Sequence, residues 1–318
     1  MQAKADRPPL PAGNRNLDRT ENTEFYAADV ASFLEERVFL TGGIRHTRTD
    51  DRRRNGLTGV LTYDNHADST TFSAGLVWHL NAARSATFYA NVNSSFVPVF
   101  LRQPDGTPLD PEQGNQREVG LRFSLARDRI QGLIAVYDIR QQNIAVDDPN
   151  RDGDWYVQID GIRSRGAEFN LNARFTDAWS VMGGYAYNDT RDTRTRARSM
   201  YAPHHMFTAF NKYAFRAGRL RGLDLALGSI YIGDRPIDPA VITTLGGIAN
   251  TPQWTMPGQW RFDAVLRYAV PRSGRVQYVF GAKVQNVLDN QEIYKLADSN
   301  SVQRQPGRTF QASLSAKF

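Results

Sequence analysis

At 318 residues the chain is long enough for one or two soluble domains, yet only 41% of it is hydrophobic and its mean hydropathy is −0.51. No stretch approaches the roughly 18 to 20 apolar residues of a membrane helix, which excludes helical spanning; a membrane β-barrel, whose strands alternate in character, is compatible. The formal charge is +6, but basic residues are interspersed with Asp and Glu, and clusters such as Arg52, Arg53 and Arg54 fall in turn-rich stretches, so no nucleic-acid partner is expected; without cysteine, thiol catalysis and Cys-ligated metal are excluded.

The chain opens on Met1-Gln2-Ala3-Lys4 and runs into Pro8, Pro9 and Pro11 with no apolar signal segment, and residues 1–22 are expected to be irregular. From there an alternating rhythm predicts about thirteen strands, near 23–33, 36–48, 70–80, 85–94, 116–126, 129–141, 156–175, 178–190, 204–215, 222–233, 259–270, 275–287 and 308–318. Short connections at 34–36, 81–84, 127–128, 176–177, 217–221 and 271–274 alternate with long ones at 49–69, 95–115, 142–155, 191–203, 234–258 and 288–307. Short periplasmic turns and long external loops are the connection pattern of an outer-membrane barrel. A β-propeller would need a repeat of about 40 to 50 residues, and none is visible.

The alternation also sorts faces. In the last segment Phe310, Ala312, Leu314, Ala316 and Phe318 interleave with Thr309, Gln311, Ser313, Ser315 and Lys317. Upstream, Phe262, Leu266 and Phe280 belong to the apolar set, and Arg267 and Lys283 to the polar one. Charges on the second face suit a wet lumen, with the apolar face turned to outer-membrane lipid. Long loop 288–307 makes the last strand run from the external side to the periplasm. Strand parity then gives 23–33 the same direction, so thirteen strands cannot close an antiparallel ring, and the sheet should stay an open trough.

Several runs resemble TonB-dependent receptors, in family order. They are Leu109-Asp110-Pro111-Glu112 with Glu118 to Arg122, Gly161 to Glu168, Val181 to Tyr187, Val284 to Asn290 with Tyr294, and Pro306 to Phe310 with the terminal Phe318. The resemblance implies an outer-membrane receptor for ferric siderophores or similar metal chelates, most like the ferrichrome type and driven through the TonB complex. It implies an incomplete transmembrane antiparallel β-barrel, about 13 of an expected 22 strands, over residues 23–318. The plug domain, through which TonB acts, is expected to be absent. Phe318 would act as a signal to the barrel assembly machinery. The alternative is a passive porin or structural barrel without energy coupling.

Candidate site residues each have a plainer reading. Trp155, Tyr156, Tyr201 and Trp254 lie in or beside long loops and could stack on a chelate, or they could be interfacial girdle aromatics. Asp148, Asn150, Asp152, Gly153 and Asp154 match the first half of a calcium loop, but position 12 would be Ile159 instead of the bidentate Glu, which favours a polar hairpin loop. His204 and His205 are adjacent, so on one strand they should face opposite sides and not share a metal. No catalytic set emerges, and neither enzymatic activity nor a cofactor is expected: G-x-S-x-G and H-E-x-x-H are both missing.

Overall fold

Period-two alternation dominates the chain, and the backbone follows it into one sheet. The computed structural model describes residues 16–148, 155–159, 161–237, 255–270, 276–290, 294–298, 301–304 and 306–317. The strands are β1 (Asn16–Phe33), β2 (Val38–Asn55), β3 (Leu61–His79), β4 (Ala86–Val97), β5 (Glu112–Leu125) and β6 (Ile130–Gln142), then β7 (Ile144–Asp147), β8 (Tyr156–Ile159), β9 (Ile162–Arg174), β10 (Trp179–Asp192), β11 (His205–Ala214) and β12 (Leu223–Ile232). They continue as β13 (Arg235–Pro236), β14 (Thr255–Met256), β15 (Gln259–Ala269), β16 (Gln277–Gln285), β17 (Tyr294–Asp298), β18 (Ser301–Arg304) and β19 (Thr309–Lys317). Thirteen of them form a single sheet in the order β1-β2-β3-β4-β5-β6-β9-β10-β11-β12-β15-β16-β19, and the other six form three two-stranded sheets, β7 with β8, β13 with β14 and β17 with β18.

Every neighbouring pair is antiparallel, and among the described residues β1 and β19 do not pair. An odd number of strands leaves these two edges running the same way, so the sheet is the open trough that the parity argument requires. Its edges keep unpaired backbone groups, which closure would satisfy.

The register fixes the faces. Phe280 pairs with Leu314 and Tyr268, whereas Lys283 pairs with Gln311 and Val265, which places Phe280 and Lys283 on opposite faces as expected. Leu266, Phe280 and Leu314 are 39%, 47% and 63% exposed, and fully buried side chains are few. A single sheet has no second layer to cover it, so its outward stripe needs hydrocarbon as its solvent.

Several bounds differ from the expectation, β5 beginning at Glu112 and short strands standing within the long loops among them, and three of the differences have a plain physical reason. Strand pairing begins at Asn16, inside the stretch read as irregular, where Asp18 meets Arg53 at 2.6 Å and Thr20 donates to Asp51 at 2.8 Å. Residues 49–69 are not a long loop: β2 and β3 continue to a turn at 56–60, held by pairs such as Arg52 to Asp64 at 3.2 Å. Both faces of this extension carry polar side chains, Thr49 and Asn65 buried on one and Arg52 and Asp64 exposed on the other, so the apolar–polar alternation disappears although the strand does not. Finally, 156–175 is two strands; β8 folds back on β7 and β9 joins the main sheet. The break includes Gly161 at φ 110°, where a Cβ would stand 1.7 Å from the Gln141 carbonyl oxygen, so no other residue fits.

Candidate functional site: the external loops and the trough

Short turns at 126–129 and 175–178 mark one rim of the trough, and the hairpins β7–β8 and β13–β14 stand at the other, the external end. The concave face is identified by a single cavity of about 850 Å³ lined by eight consecutive strands of the sheet, β5 to β16. Arg122, Asn170, Asn172, Thr208, Asp263 and Lys283 line it, and so do Met182, Phe210 and Ile230. The polar set is the lumen face that alternation predicts. Leu133 and Val265 line it as well, and such apolar side chains on the wet face are hidden in the sequence, because a Met or Phe in an alternating strand is read as outward until the register is known. Asp263 is held by Arg261 at 2.7 Å and accepts from the Asn286 N–H at 2.8 Å.

Above the trough, the Leu109 to Glu112 run is the anchor of the first loop cluster. Leu109 is buried, the Asp110 N–H donates to Gln158 Oε1 at 3.1 Å, and Gln158 Nε2 donates to the Asn143 carbonyl at 3.0 Å. Glu112 accepts from the Ala145 N–H at 3.3 Å and from Gln141 at 3.0 Å. The β7–β8 hairpin is thereby clipped to the 98–111 loop by groups from both sides. It carries Tyr156, half-buried, and Trp155, exposed, whose carbonyl accepts from the Asp148 N–H at 2.8 Å. In loop 98–111 Asp105 accepts from the hydroxyl and N–H of Thr107, which lowers its pKa.

The second cluster joins loop 193–204 to the segments around β13 and β14. Ile237 and Met256 are fully buried and Tyr201 packs against them, while the Tyr201 N–H donates to the Pro236 carbonyl at 2.7 Å. Arg198 grips Asp234 through its carboxylate at 2.9 Å and its carbonyl at 3.0 Å, and this guanidinium holds the Asp234 carboxyl below the usual range. Tyr201 thus sits in a loop-locking contact, separate from the hairpin of Trp155 and Tyr156. Trp254, Phe318 and residues 149–154 of the calcium-like run lie outside the described residues.

The histidine pair behaves differently from its sequence. Only His205 belongs to β11, and the two rings are not directed apart: their centroids are 6.4 Å from each other, and each packs beside Tyr187, at 5.9 Å and 5.3 Å. His204 precedes the strand, so alternation does not govern it; its Nδ1 lies 3.0 Å from the Asn188 carbonyl and His205 Nδ1 lies 2.7 Å from the Tyr185 hydroxyl. Among the described residues no group of three or more His, Asp or Glu is placed to hold a metal.

Comparison with known proteins agrees with this architecture. The TonB dependent receptor-like, beta-barrel family matches residues 2–287. The chain is 28% identical over 285 residues to the ferrichrome outer membrane transporter/phage receptor of Escherichia coli, covering 88% of this chain and 36% of the relative. It is 24% identical over 319 residues to the metal-pseudopaline receptor CntO of Pseudomonas aeruginosa, covering 97% and 42%. In fold it resembles BauA, the ferric preacinetobactin receptor of Acinetobacter baumannii, with a TM-score of 0.76 at 18% identity over 98% of this chain and 45% of that one. The chain therefore spans less than half the length of these relatives. With thirteen strands in one antiparallel trough and a family match over most of its length, the chain belongs to the TonB-dependent receptor β-barrel family of the outer membrane.

Proposed function

We propose that this chain forms part of the barrel wall of a receptor that takes up ferric siderophores or similar metal chelates with energy from the TonB complex. The observation that carries the reading is the combination of a charged trough under loops clipped to its rim and a family match over residues 2–287. A complete receptor of this type needs about nine more strands and a plug in its lumen, and TonB would act through that plug. On this reading the barrel portion begins with β1 at Asn16 instead of at residue 23, the chelate meets Trp155 and Tyr156 on the β7–β8 hairpin together with Trp254, and Tyr201 shapes the neighbouring loop. Rigid aromatic side chains on an anchored hairpin suit a planar, hydroxamate- or catecholate-type ligand. Phe318 engages the barrel assembly machinery, and the protein transports its substrate without chemically changing it.

The test is uptake of radioactive iron as a hydroxamate chelate by iron-starved cells whose only chelate receptor is the one carrying this chain. Uptake should require TonB and should fall several-fold for W155A/Y156A at unchanged receptor level. Equal entry with and without TonB would overturn the reading in favour of a passive barrel.

A further inference from the structure

The β7–β8 hairpin joins the wall of the trough at two points, and the backbone is left-handed at both. Asn143, between β6 and β7, has φ 58°, and Gly161, just before β9, has φ 110°. Glycine and asparagine are residues that take this conformation at low cost. Below these points β6 pairs with β9 as far as Gln141 and Ile162; above them, among the described residues, β7 pairs with β8 instead. Two such turns uncouple the direction of the hairpin from that of the wall, so its placement depends on other bonds.

Gln158 carries most of those bonds. Its Oε1 accepts from the Asp110 N–H at 3.1 Å, and its Nε2 donates to the Asp110 carbonyl at 2.6 Å and to the Asn143 carbonyl at 3.0 Å. One carboxamide therefore makes a two-way bond with the backbone of loop 98–111 and ties the same point to one of the left-handed residues. Asn143 returns a bond to that loop, its Nδ2 donating to the Pro111 carbonyl at 3.2 Å. Loop 98–111 is a firm support, because Leu109 is buried and Tyr63 and Asn65 of β3 hold Phe100 and Arg102. A carboxamide suits this position because it both donates and accepts, whereas a carboxylate only accepts.

Gln158 and Tyr156 are two residues apart on β8, so they share a face of the hairpin, and Trp155 adjoins Tyr156. Fixing the Gln158 carboxamide thus fixes where the Tyr156 ring stands. A ring that is already ordered loses less conformational entropy when a ligand stacks on it. With the latch open only a fraction of hairpins would be competent, and the apparent affinity would fall by that fraction.

We propose that Gln158 is a positioning residue for chelate binding, its carboxamide latching the hairpin to loop 98–111 so that Tyr156 and Trp155 are held in the orientation that receives the ligand. The proposal rests on the reading of those two aromatic residues as ligand contacts.

The experiment measures equilibrium binding of a ferric trihydroxamate and a ferric tricatecholate to the receptor carrying this chain, purified in detergent. For whichever chelate binds, W155A/Y156A should weaken binding roughly tenfold, and Q158A and Q158E should each weaken it roughly threefold or more. In the W155A/Y156A background neither change at Gln158 should weaken binding further, because its effect passes through the aromatic pair. A side chain that touched the chelate itself, or one that only supported the fold, would add its own loss in that background. Heat-modifiable migration on gels reports folding of each variant; if Q158A does not fold, Q158E, of the same size, takes its place. Hydrogen exchange at Asp110 should accelerate in both variants while β5, β6 and β9 keep their protection. Unchanged affinity in Q158A and Q158E, or a further loss in the W155A/Y156A background, would overturn the proposal and leave the aromatic pair as the chelate site. Binding of neither chelate, or full affinity in W155A/Y156A, would overturn the underlying reading and the proposal with it.

Discussion

Replacing Ile134 by Arg and, separately, its neighbour Leu133 by Arg sets the two faces of β6 against each other. Ile134 is 46% exposed and stands in the outward row with Leu121, Phe169 and Tyr185. The nearest outward carboxylate along its own strand is Asp138, four residues or about 13 Å away, beyond direct reach of a guanidinium held in hydrocarbon. The expected penalty is about 2–4 kcal/mol, a factor of roughly 30 to 1,000 in the folding equilibrium. Leu133 pairs with Arg122 and Asn170 on the trough face, so an Arg there meets water and one like charge, and should cost under about 1 kcal/mol. The assay is denaturant titration of the receptor folded in lipid vesicles, read by heat-modifiable migration and tryptophan fluorescence. If Leu133→Arg shifts the midpoint as far as Ile134→Arg, the assignment of faces is wrong.

Gly161→Ala should destabilise the junction of β8 and β9 by about 1–3 kcal/mol, because the added Cβ meets the Gln141 carbonyl at 1.7 Å and φ is 110°; hydrogen exchange of Thr193, whose N–H donates to the Gly161 carbonyl at 3.1 Å, should accelerate. The Arg198 to Asp234 clamp gives loop 193–204 an acid dependence: a depressed folded pKa contributes stability that is present above the ordinary carboxylate range and lost as pH falls through the lowered value. An acid-stable protease should therefore cut the loop faster with falling pH in the native receptor, and D234N should remove that step; an unchanged step in D234N would refute the assignment. Deleting Phe318 should lower the amount of receptor reaching the outer membrane while assembled molecules keep their chelate affinity, measured by quantitative blotting alongside ligand binding.

The fold was legible because the barrel wall imposes period two wherever one face is greasy and the other wet. Phe310 to Lys317 or Phe262 to Tyr268 could be assigned to faces without coordinates, and the register agrees. Where that contrast vanishes, so does the signal. Residues 49–55 and 61–69 are paired strand, with one register shift between Arg53 and Arg54, but Arg52, Asp64 and their neighbours are polar on both sides, and the sequence looks like loop. The break at Gly161 is hidden differently: a long alternating run reads straight through it, and only the approach of the Gln141 backbone shows why the chain must turn.

Sites depend on alignments between strands that no single segment contains. Arg140, Arg163 and Arg191 each sit near the end of their own strand and Arg117 lies inside β5, and each reads as an ordinary solvated charge. Antiparallel pairing with fixed register places three of them side by side and the fourth one row below, on the outward face, at the level where Val119, Val136 and Ala167 give way to polar residues. The same register puts Met182 and Phe210 opposite each other on the concave face, although each looks like one more lipid-facing residue. Alternation within a strand tells which two faces exist; pairing between strands decides which residues share one.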